Sequence, residues 1–178
     1  MLLELALVAP VLILLLLAIF QFAYVFESQI GLTNAVREAA RRAASNPDTA
    51  PTFAGGAGTL EGFTRTELCG DLTPQCPGGL LDDNVSAFTG DRLMTGSPDI
   101  TFCTYPVPGS SGTLNNYQIN ISVQYRHPLF FALLAFATDA LDGNPNGDWD
   151  LTASAQMRLE FVDDTDPSFD PVTTVCAS

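Results

Sequence analysis

The chain has 178 residues, room for one domain and an anchor, and sets 20 Asp and Glu against 7 basic residues for a formal net charge of −13. Such acidity argues against a nucleic-acid surface, which needs Lys and Arg to displace counterions from phosphate. All seven basic residues are Arg, so a Schiff-base lysine, a P-loop lysine and an S-x-x-K nucleophile are excluded as well.

The first predicted element starts at once. From Leu5 to Phe26 the only strongly polar side chain is Gln21, and Glu4 stands at the head of the run. As a helix this stretch is about 33 Å long, enough to cross a bilayer core. It has no basic residues before it, is longer than a signal-peptide core and runs without a break into polar sequence, which argues against a cleaved signal. The missing basic flank suggests that a leader has been removed or that the start is incomplete. Beyond Phe26, Leu32, Val36, Ala39, Ala40 and Ala43 recur at helical spacing, Glu38 precedes Arg42 by four residues, and Asn46-Pro47 stops the pattern. One helix is therefore expected from about residue 2 to residue 45, apolar all round in its first half and amphipathic in its second.

Residues 47 to about 62 read as a Pro/Gly/Ala loop, and the following texture as short strands separated by turns. Strands are expected near 100–107, 117–126 and 149–161. The middle one places Tyr117, Ile119, Ile121, Val123 and Tyr125 on one face, and the last does so with Leu151, Ala153, Ala155, Met157 and Leu159. Between these two strands lies PLFFALLAF. With Phe130 and Phe131 it is too apolar to leave in water and too short to span a membrane. Part of it is expected to meet an adjacent subunit, with a wholly internal core as the alternative.

The four cysteines, Cys69, Cys76, Cys103 and Cys176, form no C-x-x-C pair and lie far in sequence from the single His127, which disfavours zinc. Two disulfides in an oxidising compartment are expected, and of the three connectivities Cys69–Cys76 with Cys103–Cys176 is preferred. The segment DGNPNGDWD sets Asp142, Asn144, Asn146, Asp148 and Asp150 in a pattern close to the start of a calcium loop. Ala153 stands where the bidentate Glu belongs, and a plain Asn/Gly turn explains the same residues. Calcium is the only cofactor the sequence raises. No G-x-S-x-G motif accompanies His127, so catalysis is not expected.

The N-terminal Glu, the apolar helix with an early proline (ELALVAPVLILLLLAIFQFA), the following NAVREAARRAA and the late strand LTASAQMRLE together resemble the TadE-like pilins of the tight-adherence (Tad) pilus system. Residues 37–41 are similar to that family's REGAR stretch with Ala39 in place of Gly. The family's acidic residue is usually the fifth of the mature chain, whereas here it is Glu4.

The resemblance implies an α+β, type IV pilin-like fold: a helix over residues 1–46, transmembrane before assembly and filament core afterwards, and an extracellular β-rich head over residues 47–178. It implies self-association into a helical filament serving attachment, a membrane stage before assembly, and a prepilin peptidase with pilus assembly machinery as partners. Glu4 would meet the α-amine left by prepilin cleavage on a neighbouring subunit, an amine borne by Met1 in this numbering; the alternative is that Glu4 caps its own helix. Pro10 would soften the helix within the filament. Arg37, Arg41 and Arg42 after the run would by charge bias face the cytoplasm, but the cysteines place this side outside. The competing reading is a single-span anchor carrying an extracytoplasmic binding domain.

Overall fold

The computed structural model describes residues 2–45, 53, 57–73, 75–106, 115–130, 148–159 and 175–176, without the side chains of residues 2–5, 105, 106 and 115. Helix α1 runs unbroken over Leu2–Ala44 with Pro10 inside it. At 1.5 Å per residue its 43 residues reach about 65 Å. Its two halves differ because, among the described residues, mainly the second packs on the rest of the chain. Leu32, Ala35, Val36, Ala39 and Ala40 are fully buried, and the small side chains among them bring the helix axis close to the sheet.

The sheet is three-stranded and antiparallel in the order β1 (Asp99–Pro106), β2 (Asn115–Pro128), β3 (Asp148–Arg158). Its register sets Ile100 opposite Ile121, Phe102 opposite Ile119, Val123 opposite Ala153 and Tyr125 opposite Leu151. These residues share the inner face and are buried, as period-two alternation requires when one face of a sheet packs on a helix. Helix α1 lies mainly across β3 and β2, where Ala153 and Ala155 leave room for it. The side chain of Gln29 donates to the Thr152 carbonyl at 2.9 Å and satisfies an acceptor on the outer edge of β3.

The stretch after residue 57 corrects the sequence reading. Instead of loop followed by strands, it forms α2 (Leu60–Cys69), α3 (Gly79–Asn84) and a 3-10 turn at Gly90–Arg92. The Thr59 hydroxyl accepts from the Gly62 N–H and caps α2, while Gly70 ends it in the left-handed conformation that favours glycine. The flanking glycines masked this short helix in the sequence, and burial of Leu60, Leu68 and Leu81 against α1 and the sheet holds the two helices in place.

The disulfide Cys69–Cys76 closes the turn that follows α2. Cys103–Cys176 ties the end of the chain to β1, where Val175 bridges to Thr104 and the Cys176 N–H donates to the Thr104 carbonyl. Aromatic pairs finish the core: Phe53 stacks on Tyr117 at 5.2 Å, and Phe88 on Tyr125 at the same distance. The fold is α+β, a long N-terminal helix joined to a small antiparallel sheet.

Candidate functional site

The chemistry-bearing feature of this molecule is a surface. From Leu7 to Phe20 the first half of α1 is largely exposed: Leu7 is 77% exposed, and Val11, Leu12, Ile13, Leu15, Ile19 and Phe20 are exposed as well. Among the described residues α1 is the one helix long and apolar enough to cross a membrane, with a mean hydropathy of 2.7 in its most apolar window. Leaving so many large apolar groups in water costs about 1.5 to 3 kcal/mol each, so lipid or other protein must cover them. Pro10 sits exposed within this half. Glu4 lies in the first turn of α1 with its side chain outside the described atoms, and Met1 is outside the described residues.

The head meets the helix at Gln21. The backbone N–H of Phe130 donates to Gln21 Oε1 at 3.1 Å, and Gln21 is buried. One turn of chain around it, Phe22 meets Trp149 edge-on at 6.2 Å and Tyr24 meets Phe130 edge-on at 5.4 Å. Phe20, Gln21, Tyr24 and Phe130 line a cleft of about 220 Å³ at this junction. Phe130 keeps 56% of its surface exposed there, while Phe131 lies outside the described residues.

The described part of the head covers one side of α1. Phe26 (65% exposed) and Ile30 (62%) stand on the opposite side from Val25, Ser28 and Leu32, which are buried. Above them the helix becomes charged. Glu38 accepts from Arg41 at 2.7 and 2.8 Å and from Arg42 at 2.9 Å, and Arg42 also reaches Glu67 of α2 at 2.5 Å. The two guanidinium groups hold the Glu38 carboxyl down to about 2. Arg37 is exposed and has no carboxylate partner among the described residues.

The remaining sequence candidates are spread through the head. Asp148 pairs with Arg92 at 2.7 Å, Asp150 buries one carboxylate oxygen without a partner among the described residues, and Asp142, Asn144 and Asn146 lie outside them. His127 is fully buried on β2 between the Tyr125 and Phe130 rings, and neither ring nitrogen has a hydrogen-bond partner among the described residues. Burial lowers its proton affinity, and the nearby Arg92 charge does so further. Sequence reading missed the tie from Gln21 to the head and the exposed position of Ile30. The lone polar residue within the apolar run was the available signal for the first.

Fold and surface together define a class: a head stapled by two disulfides on a helix whose first half is exposed, apolar and of membrane-spanning length. Residues 1–41 of the chain match the model of the TadE-like protein family, a match consistent with a TadE-like protein of the Tad system. The match covers most of α1 and none of the head. No curated protein and no solved structure matches the chain.

Proposed function

We propose that this chain is a structural subunit of an extracellular Tad pilus, in which the first half of α1 packs against the same helix of other copies and the acidic head lies outside. The observation that carries this reading is the exposed apolar surface from Leu7 to Phe26, continuous in one rigid helix with the folded head. Before assembly the bilayer covers that surface; afterwards neighbouring helices do. Two disulfides support an oxidising, extracytoplasmic location for the head. The match of residues 1–41 supports a Tad-related, structural role over catalysis.

Glu4 is the residue on which assembly turns. A carboxylate carried into the hydrocarbon with a membrane helix is costly unless it finds a partner, and a neighbouring subunit's α-amine supplies one only in the filament. The test is Glu4→Ala in the full chain: sheared surface fractions should lose their fibres while the monomer stays folded in the membrane. Normal fibre yield from that variant would remove Glu4 from assembly. A wild-type chain that never leaves the membrane fraction would instead identify a single-span anchor for an extracytoplasmic binding domain.

A further inference from the structure

Ile19, Phe26, Ile30, Arg37 and Arg41 follow one another at intervals of seven, four, seven and four residues, so they form one stripe along α1. All five are exposed, and the stripe lies opposite the buried series Gln21, Val25, Ser28, Leu32, Ala39 and Ala43. Its apolar part runs past the level where the head begins. Phe26 and Ile30 lie five and nine residues beyond Gln21, about 7 and 13 Å up the helix, and a bilayer holding about 20 residues from Ala6 ends below Ile30. The hydrocarbon core therefore leaves Ile30 uncovered, where a protein partner can reach it.

Above Ile30 the stripe enters a groove of about 750 Å³. Asn34, Arg37 and Arg41 form its floor, Leu80 and Asn84 of α3 one wall, and residues 154–157 of β3 the other. Glu38 also lines it, but its charge is already taken by Arg41 and Arg42. Among the described residues Arg37 is left without a carboxylate partner in a concave site. What fits this surface is apolar at the height of Phe26 and Ile30 and acidic about 10 Å beyond Ile30, at the height of Arg37. The chain itself has that order. Three acidic residues and three Arg cancel within α1, so the whole net charge of −13 belongs to the rest of the chain, with 17 acidic residues against four Arg.

We propose that the Phe26–Ile30 stripe and the Arg37 groove form a docking site for a second copy of this chain, whose apolar helix covers the lower part and whose acidic head supplies a carboxylate to Arg37. This rests on the filament reading and adds to it a contact at head level that sets how neighbouring subunits register. It joins one face of a subunit to a different face of the next, the heterologous geometry that propagates into a fibre.

The test places a photo-crosslinking residue at Ile30 and, separately, charge variants at Arg37 in the full-length chain as secreted. Wild-type background should give a crosslinked pair of copies in sheared fibres. Arg37→Glu should reduce fibre yield and the Ile30 crosslink by roughly tenfold or more, the effect expected when a desolvated charge pair becomes a like-charge pair. Arg37→Lys should retain both. Monomer melting should be unchanged in all variants, since Arg37 has no carboxylate partner among the described residues. Fibres from Arg37→Glu at wild-type yield, or crosslinks only to lipid or to a different protein, would overturn the docking site and leave the filament reading standing. Absence of fibres from the wild-type chain would overturn both.

Discussion

The backbone N–H of Phe130 donates to the side-chain oxygen of Gln21 across 109 residues of sequence, fastening the head to the long helix where the helix leaves its free half. Gln21 is the one strongly polar side chain in the apolar run, and it faces the head while its neighbours Phe20 and Phe22 remain exposed. Gln21→Leu removes the acceptor and strands a backbone donor, at a cost of about 1 to 3 kcal/mol. Gln21 Nε2 is itself buried without a partner among the described residues, and losing it offsets part of that cost. A net loss near 1 kcal/mol is expected, read as a lowered melting temperature in detergent.

Gly31 is buried where α1 passes the C-terminal end of α3, and a Cβ there would collide with the backbone carbonyl of Asn84. Backbone cannot yield as a flexible side chain can, so Gly31→Ala should push α3 away and cost about 1 to 3 kcal/mol despite the better helix propensity of alanine. Urea denaturation of the full chain with Gly31→Ala against wild type is the measurement, and equal midpoints would sink the prediction.

Unfolding should depend on pH through His127. Its folded-state proton affinity is lowered, chiefly by burial, so the unfolded chain takes up the proton first as pH falls. The stability it contributes is present above the ordinary histidine value near 6.5 and is lost as pH falls below it, at no more than about 1.4 kcal/mol per pH unit. Melting scans between pH 7.5 and 5 should show this slope, and His127→Phe should flatten it.

The two disulfides should differ in worth. Their sequence separations are 73 residues for Cys103–Cys176 and 7 for Cys69–Cys76. Loop-closure entropy gives about 4 kcal/mol for the longer loop and about 2 for the shorter. Paired Ser variants, melted side by side, should rank in that order.

Phe130→Ser tests whether the junction cleft serves assembly. With 56% of its surface exposed, Phe130 gains little from burial within one subunit, so fibre yield should fall further than monomer stability does. Matching losses would assign Phe130 to the internal core.

What the sequence determined by itself was whatever depends on neighbours along the chain. An apolar run of spanning length, a 3.6-residue repeat through Leu32, Val36, Ala39 and Ala43, and period-two alternation in β2 and β3 are local patterns, and the helix over Leu2–Ala44 and the inner faces of the strands follow from them. The pairing Glu38–Arg42 was visible for the same reason. Tertiary structure decided the rest. The helices α2 and α3 are too short to persist alone and exist because Leu60, Leu68 and Leu81 bury against α1 and the sheet, so their sequence, broken by glycines, read as loop and strand. The Arg42–Glu67 pair was equally illegible, because Glu67 reaches Arg42 only once α2 is folded beside α1. The choice of exposed side on α1 follows the same rule: an all-round apolar helix carries no mark of its free face until the head has covered the other one.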